Sequence, residues 1–156
     1  MSTLDDLQQA LAAEHAAVYA YGLIAARTTG SLRSAASTAY NAHRARRDQL
    51  RGMIRERGTA PREAEASYAV PVTPRSAAEA TRLAVHVEEG VTAAYLQLAA
   101  TADVALRRRA ALAMQESVTR AYGFDAEIPA LPGLRETAAP EPTAKSASPA
   151  PTPATG

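Results

Sequence analysis

Between Thr3 and Arg27 the apolar side chains return at alternating spacings of three and four residues, at Leu4, Leu7, Leu11, Val18, Tyr21 and Ala25. That period lays them along one face of an α-helix, a seam whose use is packing against other helices. At 1.5 Å per residue the run makes a rod of about 37 Å. Glu14 occupies a place in the same series, inside the stretch EHAAVYAYG, and so puts a carboxylate on the face that should be dry. An ionised group there is costly unless it is paired and hydrogen-bonded. Thr3 followed by Asp5 and Asp6 suits an N-cap with an acidic first turn, and Thr28-Thr29-Gly30 ends the run.

The figure returns later in the chain. Glu88 precedes Tyr95 by seven residues, as Glu14 precedes Tyr21, and Val91 roughly answers Val18. The helix that carries them starts at Ser76-Ala-Ala-Glu79, a capping-box pattern, with Leu83, Ala84, Val87, Glu88, Val91, Tyr95 and Leu98 on its inner side. A second helix is predicted from Ser31 to about Arg57, with Tyr40, His43, Leu50, Met53 and Ile54 inward, and a fourth from the cap Asp103. The fourth is expected to pack through Val104, Leu112, Gln115 or Glu116, Val118 and Tyr122. Residues 59 to 75 hold Pro61, Pro71 and Pro74, too long a connection for a simple hairpin, and are expected to cross the length of the bundle. Two related hairpins joined this way make an all-α four-helix bundle with one long crossover. The domain is placed at residues 1–135, with IPALPGL across the end of the bundle. Residues 136–156, mostly Pro, Ala, Ser and Thr, are expected to be a disordered C-terminal tail suited to a tether.

The chain has no cysteine, which excludes thiolate metal sites, disulfides and cysteine nucleophiles, so any metal must be held by carboxylate and imidazole. A formal net charge of +1 gives no reason to expect a polyanionic partner, and neither nucleic acid nor membrane is expected. The acidic start MSTLDDLQQ is unlike a secretory signal, and no run of about 18 apolar residues occurs, so a cytoplasmic location is the expectation.

The stretches EHAAVYAYG, HRARRDQLR and the terminal PGL resemble a bacterial family of ferritin-like domains of uncharacterised role, over about residues 3 to 135. In the ferritin-like superfamily, metal-binding members place one Glu on each of the first and third helices and a Glu-x-x-His on each of the other two, around two metals. By this resemblance Glu14, His43, Glu88 and Glu116 match metal ligands, while Tyr40 and Thr119 stand where a glutamate and a histidine are expected. The implied cofactor is a single iron or manganese, zinc being chemically compatible, or no metal at all.

Each of these residues also has a plainer reading. Glu14 can be a core carboxylate satisfied by Tyr21, Tyr95 or an arginine such as Arg47, and His43 a hydrogen-bonded core histidine. His15 and His86 are expected at the surface or boundary, Glu89 competes with Glu88 for the inward position, and Glu116 faces solvent if Leu112, Gln115, Thr119 and Tyr122 form the seam. Tyr19, Tyr21, Tyr40, Tyr95 and Tyr122 read as packing residues, and Arg44, Arg46, Arg47, Arg51 and Arg107 to Arg109 as a solvated, salt-bridged face. Two classes of function follow. One is a ferritin-like metalloprotein, an oxidase-type enzyme among its forms. The other is a metal-free bundle acting as a structural or protein-interaction module, with a homodimer as one expected form. Binding of a phosphorylated ligand or nucleic acid by the arginines is a weaker third.

Overall fold

The computed structural model describes residues 2–126 and 131–134. Four helices follow in order, α1 (Thr3–Arg27), α2 (Gly30–Glu56), α3 (Ala77–Ala99) and α4 (Val104–Phe124), with no strand among the described residues. The N-cap of α1 is Ser2 rather than Thr3: its hydroxyl accepts from the Asp5 amide at 3.2 Å, and Asp5 returns the bond to the Ser2 amide at 2.9 Å. Only Thr28 and Thr29 separate α1 from α2, and so sharp a reversal is closed by Gly30 at φ +59°, a conformation that costs glycine little. Ser76 caps α3 as expected by accepting from the Glu79 amide at 3.2 Å, although the Glu79 carboxylate accepts from the Arg75 amide rather than closing the box. Asp103 caps α4 by accepting from the amides of Ala105 and Leu106.

The helices pack as a four-sided bundle. α1 lies against α2 and α3, and α3 against α4. Glu14 of α1 meets Tyr95 of α3 while Tyr21 meets Glu88, so α1 and α3 are antiparallel. Residues 57–76 carry the chain back along the bundle without helix. This crossover is tied to α1, where the Gln8 side chain donates to the Ala60 carbonyl and accepts from the Arg62 amide, both at 2.8 Å. His15, expected at the surface or boundary, is buried beneath it, its Nε2 at 3.1 Å from the Arg62 carbonyl.

Two apolar clusters fill the interior. Leu7, Leu11, Leu50, Ile54, Leu98 and Leu106 form one, and Tyr21, Ile24, Ala36, Ala39, Leu83 and Ala84 the other. The inward face of α4 differs from the expected one. Leu106, Ala110, Ala113 and Ser117 are buried, whereas Val104, Leu112 and Tyr122 are 69%, 51% and 50% exposed. Small residues mark the inner face of this helix, so a search for large apolar side chains selects the wrong side. Of the five tyrosines read as packing residues, Tyr21 and Tyr95 are buried, while Tyr19 sits at the surface beside Tyr68. Within IPALPGL, residues 128–130 lie outside the described set; Gly133 lies against Thr92 and Leu96 of α3, along its side. The segment 136–156, expected to be a tail, also lies outside the described residues.

Gln8→Ala removes two of the bonds that hold the start of the crossover. The expected cost is about 1 kcal/mol, with faster proteolytic cutting between residues 60 and 75 than the loss of global stability explains. Limited proteolysis beside a urea melt checks this.

Candidate functional site

Between the two apolar clusters lies a layer of polar side chains drawn from all four helices. Glu14, His43 and Glu88 are each fully buried. Their places follow from helical phase: Glu14 continues the seam of α1, Glu88 that of α3, and His43 lies on the inner face of α2 between Ala39 and Leu50. The imidazole stands between the two carboxylates, with Nδ1 at 2.7 Å from Glu14 Oε2 and Nε2 at 3.1 Å from Glu88 Oε1. Each tyrosine of the internal repeat reaches across to the other repeat's glutamate. Tyr21 donates to Glu88 Oε1 at 2.7 Å, and Tyr95 donates to Glu14 Oε1 at 2.8 Å. The Tyr21 ring also stacks on His43, centroids 5.3 Å apart.

Two arginines complete the layer. Arg120 of α4 donates from Nη1 to Glu88 Oε1 and Oε2 at 3.1 and 3.2 Å. Arg46 of α2, expected on a solvated face, is buried; its Nη1 lies 3.9 Å from Glu14 Oε1 and donates to Ser117 Oγ at 3.2 Å. Its other terminal nitrogen pairs with Glu116. Of the partners considered for Glu14, Tyr95 is the one that bonds it, while Arg47 pairs with its neighbour Asp48. Among the described residues every buried side-chain nitrogen and oxygen has a hydrogen-bond partner.

The structure thus gathers three of the four sequence-predicted ligand candidates. Glu116 stands apart, with its side chain 61% exposed and linked to the others only through Arg46. Glu88, not Glu89, is the inward one of that pair, and His86 is exposed. Arg120 is the residue that sequence reasoning missed. It follows Ala113 and Ser117 on the inner face of α4, so its inward position was readable only once that small-residue face was recognised. Among the described residues no group of three or more His, Asp or Glu side chains is arranged to hold one metal ion.

The electrostatics follow from this crowding. Burial alone would push the His43 pKa down, but hydrogen bonds to Glu14 and Glu88 and their charges together raise it. Burial opposes ionisation of Glu88, yet the bond to His43, its charge, Arg120 and the Tyr21 hydroxyl together lower its pKa. Burial and the adjacent carboxylates hold both Tyr21 and Tyr95 far above the ordinary tyrosine range, so they act as donors throughout. The raised pKa of His43 favours its protonated form, in which both ring nitrogens donate and the contacts to Glu14 and Glu88 are charge-assisted.

A family model described as a domain of unknown function (DUF4439) matches residues 6–136. Among solved structures, the chain is similar to a conserved hypothetical protein, rv2844, from Mycobacterium tuberculosis, at 33% identity and a TM-score of 0.76. That match covers 80% of this chain and 95% of the other. No curated protein matches the chain.

The layer gives the protein a pH dependence with a determined sign. His43 has an unfolded reference of 6.5 and a raised folded pKa, so its contribution is complete below pH 6.5 and is lost as pH rises through the folded value. Glu88, with a reference of 4.5 and a lowered folded pKa, contributes fully above pH 4.5 and less as pH falls through its folded value. Urea melts between about pH 5 and 9 should show stability falling on the alkaline side. His43→Gln should flatten that limb and cost about 3–5 kcal/mol at acid pH, because it leaves two buried carboxylates without their shared cation.

Proposed function

We propose that the chain, which belongs to this family of domains of unknown function, is a ferritin-like bundle whose centre is held by protein cations instead of metal ions, and that it works as a structural or interaction module. Topology supports the ferritin-like assignment: two antiparallel hairpins joined by a long crossover, with a glutamate in the middle of both α1 and α3. On this alignment the inward i, i+3 pair of α4 is Ser117 and Arg120, standing where Glu-x-x-His is expected, and the pair on α2 is Tyr40 and His43. Both departures remove a carboxylate, and one introduces a fixed positive charge.

One observation carries the metal-free reading. Both ring nitrogens of His43 are spent on Glu14 and Glu88. The two nitrogens of an imidazole point away from each other, so the three side chains cannot bind one ion without breaking a charge-assisted bond. A divalent ion would also sit beside the guanidinium of Arg120 on Glu88 and that of Arg46 near Glu14. Charge counting agrees: Glu14, Glu88 and Glu116 are answered by His43, Arg46 and Arg120. The residues present do not fit a shared ion.

The competing reading, iron or manganese held by Glu14, His43 and Glu88, draws on the burial of all three in a single layer. Expression with iron, manganese and zinc in the medium, purification without chelator and elemental analysis separate the two. Wild type is expected to carry far less than one metal per chain, unchanged in Glu14→Ala. Stoichiometric metal in wild type that disappears in Glu14→Ala would establish the competing reading.

A further inference from the structure

The bundle is closed on three sides and open on the fourth. Helices α2 and α4 are held near each other by Arg46, which bonds Ser117 and pairs with Glu116, but their backbones do not pack closely. Between them lies a cleft of about 340 Å³. Ala42 and Ala45 on the α2 wall and Ala113 on the α4 wall leave room among the larger lining side chains, Gln49 and Met53 of α2 and Leu106 of α4 among them. Its floor is Leu50, Tyr95 and Leu98 of the core, and Leu112, half exposed, forms an apolar lip. This space goes beyond the polar layer, and neither His43 nor Glu88 lines it.

The charges around the cleft are unequal. Arg46, Arg109 and Glu116 are its ionised lining groups. Arg46 is answered by Glu116, while Arg109 makes no ion pair among the described residues. The cleft therefore offers an apolar trough with one uncancelled guanidinium at its edge. At about 30 Å³ for each water-sized group, the space takes roughly ten carbon-sized groups, the size of one small amphiphile.

We propose that the cleft between α2 and α4 binds a free, unbranched carboxylic acid of medium chain length, its alkyl chain on Leu50, Tyr95 and Leu98 and its carboxylate on Arg109. The trough supplies affinity through apolar burial. Arg109 supplies the preference for an anionic head, since a guanidinium presents parallel donors that match a carboxylate. No bond is made or broken in the ligand, so this is a binding site and not an active site.

Decanoate, kept well below its aggregation concentration, is the probe, with decanol and decyltrimethylammonium as controls for the head group. Calorimetric titration of the full chain is expected to give saturable one-to-one binding of decanoate, about tenfold tighter than decanol, and none of the ammonium. Arg109→Gln should bind decanoate and decanol alike. Ala45→Trp, at a solvent-exposed position that leaves the core untouched, should fill the trough and abolish both, with an unchanged circular dichroism spectrum. The proposal is overturned if decanoate shows no saturable binding, if decanol binds as tightly as decanoate to wild type, or if Ala45→Trp still binds decanoate. Metal content plays no part in these readings, so their failure is distinguishable from failure of the metal-free core.

Discussion

A histidine held between two buried carboxylates organises this bundle. In water such a trio contributes little, but away from solvent each unpaired member would be prohibitively costly, so the three must stay together. His43 belongs to α2, Glu14 to α1 and Glu88 to α3, so one side chain fixes the relative height and rotation of three helices. An apolar core tolerates sliding and repacking; a charge-assisted network with defined donors does not. The polar layer thus sets the register, and the leucine clusters on either side supply the burial.

The tyrosines extend this constraint. Because Tyr21 serves Glu88 and Tyr95 serves Glu14, the two repeats interlock, each glutamate taking one of its bonds from the other hairpin's tyrosine. Arg120 brings α4 into the layer through Glu88, and Arg46 does so from α2 through Ser117. The fourth helix is therefore attached by polar contacts and small side chains more than by large apolar ones. That mode of attachment leaves the space between α2 and α4 unfilled.

Much of the architecture was legible in the sequence. The seams of α1 and α3 are built from large apolar side chains at strict spacing, and Ser76 and Asp103 announce helix starts by their chemistry. The repeat of Glu and Tyr located Glu14 and Glu88 in the interior. Helix α4 was misread because Ala110, Ala113 and Ser117 carry almost no hydrophobic signal, while the more conspicuous Leu112 and Tyr122 face outward. That rotation hid Arg120; Glu116 was matched to a ligand by superfamily spacing alone, and its side chain is exposed. His15 was misplaced for another reason: the crossover that covers it is irregular chain, whose path no periodicity encodes.

By itself, the sequence determined that four helices form, that two of them carry a carboxylate inward, and that a long connection separates two hairpins. Local rules decide these matters, since helical period, caps and proline act over a few residues. The tertiary structure alone decided which donors those carboxylates meet. Glu14 takes its bonds from His43 and Tyr95, residues 29 and 81 positions away, and such pairings depend on the rotation of each helix about its own axis. A difference of about 100° per residue separates a metal ligand from a surface charge, and only packing fixes that angle. Which side chains arrive together in the interior is decided at this level.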